Sequence, residues 1–180
     1  INSIHRLVYD KMLMLPDVIL EEMNKELVSR LRQDSENGLA VLDSVEGYAV
    51  LIEGEKIILS NAMRPAVGVG EDGIREIEPV KRSIGGKQYF ADQYFKPETL
   101  NLKPYETLYL FSDGFETQLG GSTGSKKFGK QHFYELLGQL HSVSNLTKRA
   151  VLMEKRLEDW AGFFQQQSDD ILIIMIRKEP

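Results

Sequence analysis

A chain of 180 residues with 42% hydrophobic and 27% charged side chains has the size and composition of one globular domain with a single substantial core. Its net charge of -5 excludes a general attraction to nucleic acid or to anionic membrane, and leaves only local basic patches for such contacts. The absence of cysteine excludes disulfides, thiolate catalysis and zinc–cysteine clusters, and is compatible with a reducing cytoplasm.

In chain order, Ile4, Leu7, Val8 and Leu15 lie on one helical face and predict a first helix. Pro16-Asp17 starts a second, in which Ile19, Met23, Leu27 and Leu31 recur every four residues. From Gly38 the period changes. The runs "LAVLD", "GYAVLIEGEKIILS", "PAVGVG" and "GIREIEPV" are short and β-prone, with "EGEK" reading as a hairpin turn between Ile52 and Ile57. Residues 39–111 are therefore expected to be mostly antiparallel sheet, and the strand from Thr107 to Phe111 stops at Ser112-Asp113-Gly114. Phe133, Leu136, Leu137 and Leu140 restore helical spacing, and a second stripe runs from Leu146 through Met153, Leu157 and Trp160 to Phe164. The chain closes with Ile171 to Ile176, an apolar run far too short to span a bilayer and expected to be a strand buried on both faces. Helices in blocks around a mostly antiparallel sheet, instead of alternating with each strand, give an α+β layered class. No signal-peptide pattern opens the chain, and Ile1 enters directly into an amphipathic pattern without an initiator methionine, as expected of a segment of a longer polypeptide.

Two apolar strands are thus edged by aspartates, one at its end and one at its start. If these strands are antiparallel neighbours, Asp113 and Asp169 meet at one end of a sheet. Two such carboxylates repel, and one must hold a proton unless a cation lies between them. Hard oxygen donors suit magnesium or manganese. The alternative at this point is equally simple: Asp-Gly is a common turn pair, and strand-end aspartates are often solvated caps.

The order and spacing of "LYLFSDGFETQLGG", "KKFGKQHFYELL", "LEDWAG" and "QSDDILIIMIR" resemble the stage-II-sporulation-E-like branch of the metal-dependent, type 2C-like bacterial serine/threonine protein phosphatases. "PDVILEEMNKEL" resembles that family's second helix, "LSNAMRPAVGV" its strand ending in Ala-Gly-His-x-Pro, and "RSIGG" its Pro-Ile-Gly. The resemblance covers nearly the whole chain and implies one phosphatase-like domain over residues 1–180. Its fold would be a four-layer α-β-β-α sandwich with mostly antiparallel central sheets, here without its N-terminal strands. By position, Asp113 and Asp169 resemble metal ligands, and Asp170 an outer-shell neighbour or substitute ligand. The implied cofactors are two manganese or magnesium ions. The implied reaction is hydrolysis of phosphoserine or phosphothreonine by metal-activated water, with no catalytic protein nucleophile. At family level, the partner is a phosphorylated signalling protein such as an anti-sigma-factor antagonist. An upstream sensory domain and a cytoplasmic location, including the cytoplasmic part of a membrane-bound sensor, go with that reading.

The resemblance has two departures. The family's opening Gly-Asp strand and Gly-His-Gly turn, which supply a bridging aspartate, have no counterpart here, so this segment alone is expected to be a poor enzyme. Inside the chain, "LDSVEGYAV" stands where the family often has Asp-Gly-Met-Asp, and Met63-Arg64 replaces Gly-His. The competing reading is a catalytically degenerate binding or regulatory module. The glycine-rich "LGGSTGSKKFG" fails the P-loop pattern and reads as a mobile loop; Lys126 and Lys127 are its substrate-facing candidates, with a solvated basic pair as the plainer account. His5, His132 and His141 share no ligand spacing; His132 and His141 read as exposed helix residues and His5 as part of the first helix, while Trp160, Phe163 and Phe164 read as core.

Overall fold

The computed structural model describes residues 15–33, 42–86, 93–163 and 166–179. The predicted first helix, His5 and Phe164 lie outside these residues. The chain divides into two compact units, one drawn from Ile1–Ala66 and Ile77–Leu102 and the other from Val67–Glu76 and Lys103–Pro180.

In the first unit, α1 (Pro16–Arg30) begins with proline in its first turn, where a missing N–H costs nothing, and carries Asp17 and Arg30 at the ends that complement its dipole. Leu20, Asn24 and Pro16 form its buried face, with Met23 and Leu27 packed alongside, so the stripe is rotated from the predicted Ile19–Leu31 line. The cause is Asn24, whose Oδ1 accepts the Gly85 N–H at 2.7 Å inside the core. Gly86 N–H is taken by Gln33 Oε1 at 2.8 Å. The helix is thereby tied to a small ladder of β1 (Ser44–Val45) and β6 (Ile84–Gly85). Gly85 has φ +72, the left-handed region glycine enters without penalty, and a Cβ there would meet Leu27 Cδ2 at 2.5 Å.

β2 (Gly47–Glu53) and β3 (Lys56–Ala62) form the predicted hairpin, with Glu53 opposite Lys56, and β7 (Glu98–Asn101) pairs with the other edge of β3. Gly54 supplies the positive φ that a two-residue hairpin turn requires. Leu20, Ala62, Ile84 and Phe95 form one buried cluster of this unit, and Ile57, Leu59 and Leu100 are buried as well.

The second unit is a four-stranded sheet in the order β11 (Ile173–Arg177), β8 (Thr107–Phe111), β4 (Ala66–Gly70), β5 (Gly73–Ile77). β8 pairs antiparallel with both β4 and β11. Its five residues are all buried, as the uninterrupted apolar run TLYLF demands. After it come the four-residue α2 (Gly114–Thr117) and a hairpin of β9 (Leu119–Gly120) and β10 (Lys126–Lys127). Next are α3 (Lys130–Leu140) and α4 (Leu146–Ala161), the latter capped by Asn145 accepting the Lys148 N–H at 2.9 Å. The predicted α3 face, Phe133, Leu136, Leu137 and Leu140, packs with Tyr109, Phe111, Phe115, Phe128 and Met153.

Three expectations are corrected. The closing strand is not buried on both faces: among the described residues it is the sheet's edge, and Leu172 and Ile174 are 60% and 46% exposed. Trp160 joins the core as expected, whereas Phe163, just past the helix, is fully exposed. His132 is exposed but stacks on Phe128 and Trp160, and His141 is half-buried at the end of α3. No helix among the described residues is long and apolar enough to cross a membrane.

Candidate functional site

The end of β8 is stitched to the segment leading into β11 by one side chain. Ser112 Oγ donates to Asp170 O at 2.9 Å and accepts the Leu172 N–H at 2.9 Å, while the Ser112 N–H bonds Leu172 O at 3.0 Å. With Ile173 opposite Phe111 in the ladder, the antiparallel adjacency expected from sequence holds, and Asp113, Asp169 and Asp170 come to the same end of this sheet. Asp113 occupies the N-cap position of α2, yet its carboxylate does not cap that helix. Its backbone oxygen instead anchors the turn, accepting from Thr117 N and Thr117 Oγ1, each at 2.9 Å. Asp113 is half-buried; Asp169 and Asp170 are exposed. Asp169 Oδ1 accepts the Asp170 N–H at 2.8 Å, which orients the pair locally.

Gly114 explains how close the two segments come. A Cβ on it would lie 2.4 Å from Asp170 O and 2.9 Å from Asp170 C, both backbone atoms that cannot swing aside. Gly114→Ala is therefore expected to push the 169–171 segment off the end of β8 and to cost about 1–3 kcal/mol in thermal or denaturant unfolding. Gly138→Ala, where the nearest atom is the Ile74 side-chain tip at 3.5 Å, is the helix control and should be neutral or stabilising.

Two residues that hold this region were not singled out from the sequence. Gln118, 1% exposed, donates through Nε2 to Leu119 O at 3.0 Å and Gln166 O at 3.2 Å, and accepts the Ser168 N–H at 3.3 Å. It thus splints the start of the β9–β10 hairpin to the stretch just before Asp169. Arg149 lies further along the sheet, 1% exposed, and donates to Val143 O, Thr107 Oγ1, Tyr109 Oη and His141 O at 2.6 to 3.1 Å. No carboxylate pairs with it among the described residues. Burial holds the Tyr109 phenol above its ordinary pKa although Arg149 pulls the other way. Neither residue carries a pattern signal: Gln118 is satisfied largely by backbone groups about fifty residues away, and Arg149 by two nearby carbonyls and two hydroxyls about forty residues away. Lys126 and Lys127 lie exposed on β10, whose hairpin is pinned to α4 by Gly121 N–H donating to Trp160 O at 2.9 Å.

As a metal site, the arrangement fits in kind: hard carboxylate oxygens from two segments at one sheet end. It does not fit in number, since no group of three or more acidic or histidine side chains among the described residues is arranged to hold an ion.

No protein-family profile matches the chain, and no curated protein does. Solved structures do match. The SiaA-PP2C domain of Pseudomonas aeruginosa superposes with a TM-score of 0.81 at 22% identity, over 99% of this chain and 67% of that one. The phosphatase domain of the cell fate determinant SpoIIE from Bacillus subtilis gives 0.55 at 13% identity, over 89% and 72%. The Mycobacterium tuberculosis serine/threonine phosphatase PstP/Ppp gives 0.57 at 10%, over 91% and 71%. The mixed helices and antiparallel sheets described above are therefore those of the PP2C-type phosphatase fold.

Proposed function

We propose that this chain is a single phosphatase-like domain that hydrolyses phosphoserine or phosphothreonine on a bacterial signalling protein, with divalent metal held by Asp113 and Asp169. The observation that supports the reading is the Ser112 junction, which holds the segment carrying Asp169 and Asp170 against the end of the strand that leads to Asp113. Asp113 and Asp169 bind the ion and Asp170 serves beside them as a neighbour or substitute ligand. When bound, manganese or magnesium supplies an activated water and neutralises phosphoryl charge. Two ions would need at least one carboxylate more than the described residues bring together. Lys126 and Lys127 offer positive charge to an incoming phosphoprotein. The manganese-presoaked crystal of the Bacillus domain favours that metal as the first to try. A phosphorylated anti-sigma-factor antagonist as substrate, an upstream sensory domain and a cytoplasmic setting complete the proposal, with no role for nucleic acid.

The second reading, a module that binds a partner without turnover, is favoured by one feature of the first unit. Met63 holds φ +60 where the resembling motif has glycine, and Arg64, in the place of its histidine, is paired with Glu46 at 3.1 Å. Calorimetric titration of manganese separates the two. The metal reading expects Asp169→Asn to weaken binding at least about tenfold, equivalent to about 1.4 kcal/mol. Equal heats for the two proteins would remove Asp169 from the ligand set, and a parent chain that takes up no manganese would favour the binding module.

A further inference from the structure

Helix α4 buries only Arg149 and Met153 fully. Val151 and Leu152 are 58% and 43% exposed, an unusual position for two adjacent large aliphatic side chains on a surface helix. With Val143 they floor an open groove of about 730 Å³, edged by Asn145, Thr147 and Lys148. Lys148, Lys155 and Arg156 stand three or four residues from Val151 or Leu152 and so flank them on the same helix surface. None of these three cations enters an ion pair among the described residues. Glu154 also stands three residues from Val151, so the flank carries two net positive charges on a chain whose net charge is -5.

We propose that this groove docks an acidic amphipathic helix of a protein partner. Its apolar side chains would enter between Val143, Val151 and Leu152, and its carboxylates would meet Lys148, Lys155 and Arg156. Charge complementarity selects the occupant. A lipid surface is disfavoured because two aliphatics and three cations fall short of stable anchoring and the rest of the chain is acidic. The groove shares no residue with the carboxylate corner. Leu152 also lies about 14 Å, at about 1.5 Å per residue, along the axis from the end of α4 that leads toward Asp169. Docking therefore does not depend on hydrolysis.

The test is fluorescence anisotropy with a labelled helical peptide of about five turns, carrying leucine at i, i+3, i+4 and i+7 and glutamate elsewhere. Binding to the 180-residue chain should weaken as salt is raised. Leu152→Ser and Lys155→Glu should each reduce affinity at least about tenfold, with circular dichroism confirming that both exposed-site variants fold. Asp113→Asn should bind the peptide as the parent does, which keeps this inference separable from the catalytic one. The proposal is overturned by unchanged affinity in both groove variants, or by equal binding of a peptide with lysine in place of glutamate. It is equally overturned if the same substitutions instead abolish self-association in sedimentation or binding to phosphatidylserine vesicles.

Discussion

Asp113→Asn is expected to lower manganese-dependent hydrolysis of p-nitrophenyl phosphate by the complete polypeptide about a hundredfold or more, with its unfolding midpoint nearly unchanged. The two halves of this result have different origins. Its backbone oxygen accepts from Thr117 N and Oγ1, and asparagine keeps that oxygen. The carboxylate makes no capping bond to α2, so its loss leaves that helix start intact. Removing an outer-shell partner of a metal ligand commonly costs tenfold to a hundredfold, and removing a ligand's charge should cost at least as much. Asp170→Asn should fall at the lower end of that range. Turnover that survives Asp113→Asn would end the metal assignment, and a collapse of stability would recast the residue as structural.

Arg149→Ala is expected to destabilise the chain by about 3–5 kcal/mol in urea unfolding, the largest single-residue effect on stability foreseen here. Among the described residues the guanidinium is buried without a carboxylate, and its charge is met by the carbonyls of Val143 and His141 and the hydroxyls of Thr107 and Tyr109. Truncation leaves these acceptors dry and opens a void between α4 and β8. Tyr109→Phe alone should cost only about 1 kcal/mol, because Arg149 keeps its other partners. The phenol adds a pH signature. Its pKa is raised in the folded chain, so its contribution is fully present below the unfolded value of about 10 and is lost as pH rises through the folded one. Unfolding curves for Arg149→Ala within about 1 kcal/mol of the parent would show that the buried charge is dispensable.

How much of this was legible in the sequence depends on whether a residue's partners are local. The hairpin at Gly54, the helix opening at Pro16, the strand from Thr107 to Phe111 and the α3 stripe were all readable, because period, turn chemistry and proline act within a few residues. So was the antiparallel pairing of the two aspartate-edged strands. The apolar run Ile171 to Ile176 was misread as doubly buried because composition cannot distinguish a central strand from an edge with an apolar outer face. Asn24, Gln118 and Arg149 were invisible for the opposite reason: each is a polar residue whose burial depends on partners, backbone groups for the first two and the Thr107 and Tyr109 hydroxyls for Arg149, that only the folded chain brings near. Phe163 was assigned to the core by extending a stripe past the turn at Gly162.

The edge position of β11 gives the acidic residues before it a second task. Among the described residues β11 pairs on one side alone, and a short, β-prone apolar strand so placed is a template for other strands, usually guarded by charges at its ends. Asp169 and Asp170 stand guard at one end, and Arg177, Lys178 and Glu179 at the other. Neutralising both aspartates would thus strip half of that protection along with any cation affinity, so a drop in soluble protein would mimic a drop in catalysis unless the monomer is quantified first.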